Sequence, residues 1–171
     1  PARYQGQILV PFPIESALSG VMTPLGPNQT LWYHRTFNIP EAWKGKRVLL
    51  HFDGADWEAE VWLNGRPLGR HRGGYDSFDF DITDTLRTDG SQDLVVAVWD
   101  PTDTSWQMRG KQSLRPGGCS YTACSGLWQT VWLEAVPAAY IEDVHVHTQL
   151  AETKGLVNLT IDGRMPPDHS I

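Results

Sequence analysis

Ala59-Glu60-Val61-Trp62-Leu63-Asn64-Gly65-Arg66-Pro67-Leu68-Gly69-Arg70 decides the fold. In its first half two chemical sets alternate, which suits a strand with Val61 and Leu63 turned inward. Asn64-Gly65 then tolerates positive φ at both central positions of a type I′ turn, so a partner strand is expected over residues 66–70.

Outward from this hairpin the same grammar repeats. Short runs rich in Val, Trp, Tyr, Phe and Thr predict strands over 31–39, 47–52, 78–82, 94–99 and 127–133, separated by dispersed glycine and proline, 16 and 12 in all. Helical signals are limited to single turns at Pro40-Glu41-Ala42-Trp43 and Thr83-Asp84-Thr85-Leu86, the latter with Thr83 or Asp84 as cap. Many antiparallel strands with long loops predict an all-β sandwich of jelly-roll type over residues 1–137. Beyond Val136-Pro137, Val144, Val146, Thr148 and Leu150 alternate with His145, His147 and Gln149, and 156–162 reads as another strand. Two or three strands do not close a second sandwich, so residues 138–171 are expected to open a neighbouring domain.

Composition excludes several classes. The chain has 171 residues, enough for a core without staples, and its two cysteines are too few for a disulfide scaffold. Fourteen Lys and Arg face twenty Asp and Glu, net charge -6, with no basic cluster longer than Arg70-His71-Arg72, so nucleic acid is not an expected partner. No apolar run reaches the roughly 20 residues of a membrane helix. The opening residues show no charged-then-apolar leader pattern. A soluble chain is expected, its compartment unknown.

Eight tryptophans mark either strand cores or flat ligand faces. Trp128 and Trp132, four apart, would share a face if both lay in one strand. Trp106 and Tyr75 stand in loop contexts beside Gly, Asp, Arg and Gln, where aromatic planes could meet the C–H faces of a sugar. The stretch from Trp99 to Gln112 follows a strand and is too long for a hairpin turn. Within it Asp100 and Asp103 read either as an acid and base or, more simply, as a solvated turn with Asp100 preceding Pro101. Cys119 and Cys124 lack the spacing of a zinc knuckle, and no metal or cofactor is expected. No G-x-S-x-G elbow, phosphate-cradling loop or H-E-x-x-H is present.

Four blocks then carry a family resemblance: Leu31-Trp32-Tyr33-His34-Arg35-Thr36-Phe37, Trp57-Glu58-Ala59-Glu60-Val61-Trp62-Leu63-Asn64-Gly65, Gly73-Gly74-Tyr75-Asp76-Ser77-Phe78-Asp79-Phe80-Asp81-Ile82-Thr83, and Ser125-Gly126-Leu127-Trp128-Gln129-Thr130-Val131-Trp132-Leu133-Glu134. Together they resemble the amino-terminal sugar-binding domain of glycoside hydrolase family 2, across roughly residues 8–136. The resemblance implies a jelly roll, followed in the whole enzyme by an immunoglobulin-like sandwich and a catalytic (β/α)8 barrel. It implies no catalytic residue here: the family's acid/base glutamate follows an Asn, whereas the asparagines of this chain precede Gln29, Ile39, Gly65 and Leu159.

It does imply loops at the rim of the barrel's cleft. One resembles Val10-Pro11-Phe12-Pro13-Ile14-Glu15-Ser16, bringing Glu15 and Ser16; another precedes Ser125-Gly126, bringing Ser120 and Tyr121. Where family members carry an Asp six residues before that glycine, this chain has Ser120. Residues 1–10 resemble sequence that follows the family's first strand. With Tyr75, Asp103 and Trp106 these form the candidate substrate rim. Two further readings stand beside it: a self-sufficient carbohydrate-binding module using Trp106, Tyr75 and Asp103, and a small hydrolase using Asp100 and Asp103.

Overall fold

The computed structural model describes residues 1, 3–151 and 154–165. Among them the strands run β1 (Thr30–Phe37), β2 (Arg47–Phe52), β3 (Ala55–Asp56), β4 (Glu58–Leu63), β5 (Arg66–Arg72), β6 (Phe78–Asp81), β7 (Gln92–Trp99), β8 (Gly126–Leu127), β9 (Val131–Val136), β10 (Tyr140–Ala151) and β11 (Lys154–Arg164). The expected hairpin is β4–β5. Asn64 and Gly65 take φ of 55° and 79°, and Val61 and Leu63 are fully buried. Pairing shifts from Val61 opposite Gly69 to Trp62 opposite Pro67, leaving Leu68 as an extra residue in a bulge on this edge strand. Gly69 is required by its neighbour: a Cβ there would lie 2.7 Å from the Phe80 ring.

Two antiparallel sheets, ordered β1-β7-β4-β5 and β6-β2-β9, face each other, with the short pair β3–β8 beside them. Alternate residues of both sheets meet between the layers: Tyr33, Val61, Leu63, Val96 and Val98 from one, Val48, Leu50 and Phe52 from the other. That is the jelly-roll sandwich the strand pattern predicts. Between edge strands β1 and β9 a cleft of about 1160 Å³ opens toward residues 4–11.

Two expectations change. The run 127–133 is not one strand: β8 pairs with β3 and β9 with β2, and the chain steps between them at Trp128-Gln129-Thr130. Trp128 and Trp132 therefore share no strand face. The Trp128 Nε1–H donates to the Gly74 carbonyl at 2.8 Å, while Trp132 stacks on His51 with centroids 4.1 Å apart. The turn Thr83–Thr85 is capped by neither Thr83 nor Asp84; Asp81 Oδ1 accepts from the Thr83 amide at 3.1 Å and from its hydroxyl at 2.5 Å. The other expected turn forms as Glu41–Trp43.

Past the seam, β10 and β11 make a two-stranded ribbon whose Val144, Val146, Leu159 and Ile161 are exposed. Arg164 ties its end to the sandwich, Nη1 lying 3.3 Å from Asp81, which also pairs with Arg47.

Candidate functional site

The long stretch after β7 is organised by buried polar groups. Asp100, read from sequence as a solvated turn, is 1% exposed. Its carboxylate accepts from the Thr102 amide at 2.7 Å and the Ser125 hydroxyl at 2.6 Å, so it stitches the start of the loop to its end. Gln107 donates to the Thr102 carbonyl at 2.7 Å. Gln112 donates to Asp56 Oδ2 at 2.9 Å and accepts from the Cys124 amide at 2.6 Å. A bridge between Gln112 and Tyr121 and a Ser113–Tyr121 backbone bond of 2.9 Å close the stretch on itself. A long loop fixed this way is a rigid mount for exposed groups.

Glu15 joins this assembly across the whole chain. Its carboxylate accepts from the Ser125 amide at 2.9 Å, and the Ile14 amide donates to the Ser125 carbonyl at 3.2 Å. Ser16 caps the turn Ala17–Ser19, its hydroxyl accepting from the Leu18 amide at 3.2 Å. Tyr75 is half-exposed, meets Trp128 edge-on with centroids 6.1 Å apart, and faces Gly110, where a Cβ would lie 3.2 Å from its hydroxyl. The 73–77 loop and the 100–125 segment are thereby brought together.

The remaining candidates divide. Tyr121 is exposed at the Gln112 bridge, and Trp106 projects with 90% of its surface free. Asp103 is engaged inside its own loop, accepting from the Ser113 hydroxyl at 2.7 Å and the Leu114 amide at 3.3 Å; these bonds hold its carboxyl below the ordinary range. Ser120 is exposed, its amide donating to the Gly117 carbonyl at 3.0 Å.

Sequence reading missed Asp56, at the junction of these loops and 4% exposed. Burial raises its carboxyl to about 7; the Gln112 bond opposes this, and the charges of Asp100 and Glu15 add to it. Such a group, balanced between its two forms near neutrality, can donate or accept a hydrogen bond from a hydroxyl. The same surroundings push the Cys124 thiol up to about 11, chiefly through burial and then through Asp56, Glu15 and Asp100. Cys119 and Cys124 are both free thiols. Only the position of Asp56, just before the alternating 58–63 run, could have signalled it.

Ser125-Gly126 has a packing reason. Gly126 takes φ of 96°, and a Cβ there would run into the Tyr33 hydroxyl, which accepts from the Leu127 amide at 3.0 Å. Among the described residues no group of three or more His, Cys, Asp or Glu is arranged to hold a metal ion, and no helix is long and apolar enough to cross a membrane.

Residues 4–137 match the family described as glycosyl hydrolases family 2, sugar binding domain. A β-galactosidase of Thermoanaerobacter pseudethanolicus is 31% identical over 132 residues, covering 75% of this chain and 17% of the relative. A β-glucuronidase of Sus scrofa is 30% identical over 150 residues, covering 77% and 23%. A solved β-glycosidase of Bacteroides vulgatus superposes with a TM-score of 0.65 at 29% identity over 82% of this chain and 17% of its own. A β-glucuronidase of an uncultured Clostridium gives 0.66 at 27% identity over 90% and 27%. The chain thus spans under a third of the length of each of these relatives. With residues 4–137 matching the family and most of its length aligning with these relatives, this chain belongs to glycosyl hydrolases family 2, within that family's sugar binding domain.

Proposed function

We propose that this chain serves a family 2 glycosidase as a non-catalytic wall of the substrate cleft, the acid/base and nucleophile glutamates residing on a (β/α)8 barrel of the same protein. The observation that carries the reading is the fixed meeting of three chain segments, at Glu15, Asp56 and Asp100-to-Ser125, through hydrogen bonds linking residues far apart in sequence. A rigid rim of exposed aromatics orients a sugar without performing acid–base chemistry on it. Tyr75 and Tyr121 face the substrate, with Trp106 at the outer margin and the buried Asp56 fixing the loops beneath them. Glu15, Ser16 and Asp103 hold the loops that present them, and Ser120 leaves the rim without a carboxylate at its position. Relatives named β-galactosidase and β-glucuronidase make a β-linked hexoside or hexuronide the substrate class.

Residues 138–171, of which 152, 153 and 166–171 lie outside the described residues, contribute the first strands of an immunoglobulin-like sandwich. The exposed apolar face of β10–β11, carrying Val144, Val146, Leu159 and Ile161, supports this, since two strands with an apolar face do not stand alone in water. In the whole enzyme, Tyr75→Ala is expected to raise KM for a chromogenic β-glycoside several-fold with a smaller change in kcat. Unchanged kinetics for Tyr75→Ala and Tyr121→Ala together would refute the rim assignment.

A further inference from the structure

The outer face of the four-stranded sheet departs from the polar pattern of a solvated antiparallel face. Register sets Trp32 opposite Ala97 and Trp62 opposite Val95, all turned away from the core side occupied by Tyr33, Val96, Val61 and Leu63. Trp32 and Trp62 lean together over β7, their centroids 5.7 Å apart at 23°. Ala97 between them is only 6% exposed, so the indoles cover it, yet Trp32 itself remains 39% exposed. The pair is a preorganised aromatic block, and binding to it costs little side-chain entropy.

Its borders are polar and already neutralised. Toward β5, Glu60 lies 3.7 Å from Arg70, and Glu58 pairs with Arg70 and, at 2.5 Å, with Arg72. At the β1 margin His34 meets Asp93 at 2.5 Å and carries Tyr4 stacked at 5.1 Å. Self-paired charges give no net field to draw in a polyanion or a basic segment. They do offer donors and acceptors on both flanks of an apolar strip, which matches a ligand with flat C–H faces and hydroxylated edges.

We propose that this face binds a glycan chain of equatorially linked pyranoses, the rings stacking on Trp32 and Trp62 and the hydroxyls meeting the flanking ion pairs. The site uses none of the rim residues and depends on the sheet face alone, so it stands or falls separately from the cleft reading.

The test uses the full chain. It is run through native gels cast with hydroxyethylcellulose or with glucomannan, and its indole N–H signals are followed by proton–nitrogen NMR as cellohexaose is added. Retardation by at least one polysaccharide is expected, weakened roughly tenfold in Trp32→Ala and kept in Trp106→Ala, with the Trp32 and Trp62 indole signals moving. Should Trp32→Ala not fold, the indole shifts of the unaltered chain decide. Free migration in both gels with unmoved indole signals would overturn the site. So would retardation that Trp106→Ala removes and Trp32→Ala does not, or concentration-dependent self-association that Trp32→Ala abolishes, which would make a second copy the occupant.

Discussion

Gly126 and Asp56 sit directly opposite each other in the β3–β8 register, and each imposes a measurable demand. At Gly126 a side chain meets both an unfavourable φ and the buried Tyr33 hydroxyl, so Gly126→Ala should cost about 3 kcal/mol or more in urea unfolding. Gly45→Ala, at φ of 77° with open space around it, is the control and should cost about 1 kcal/mol. Asp56 holds its proton to about 7 in the folded state against 3.8 as the ordinary value. Between those pH values the unfolded chain releases a proton that the folded chain keeps, so this residue's contribution to stability falls as pH rises and levels off above about 7. Asp56→Asn should remove that slope, gaining on the unaltered chain by a few kcal/mol from pH 4 to pH 8; parallel stability curves would contradict the burial of a protonated acid. At neutral pH a thiol reagent should label exposed Cys119 rapidly and spare Cys124, whose thiol is held protonated.

The β4–β5 hairpin is anchored by the side chain of its own turn. Asn64 Nδ2 donates to the Thr85 carbonyl at 2.9 Å and to Gln92 Oε1 at 2.8 Å, and its Oδ1 accepts from the Asp93 amide at 2.9 Å. Gln92 is 1% exposed, so Asn64→Gly, which keeps the turn conformation, should still lose about 2 kcal/mol or more by stranding these partners; a loss near zero would mean that turn geometry alone fixes the hairpin. Elements of this kind were legible in the residues, because period-two alternation and an Asn-Gly turn are local signals. The break at Trp128-Gln129-Thr130 was not. A run rich in Trp, Val and Leu reads as one strand, and only the pairing of its halves with β3 and β2 divides it.

At the scale of the molecule, two sheets form the scaffold and one group of loops, joined by buried hydrogen bonds, carries the proposed rim. The rim resisted sequence reading for a physical reason: its defining bonds span long separations, 110 residues from Glu15 to Ser125 and 56 from Gln112 to Asp56. Burial made this way changes a residue's chemistry with no local trace, as for Asp100, which loop composition presents as solvated and which the fold closes to 1% exposure. The exposed aromatics were visible because tryptophan and tyrosine stand out beside glycine and charge, though which of them the scaffold gathers was not. The measurement that most directly tests a wall without catalytic groups is turnover of a chromogenic β-galactoside and β-glucuronide by the purified chain. No hydrolysis above buffer is expected at any pH; sustained turnover that co-purifies with the chain and disappears in Asp56→Asn would contradict it.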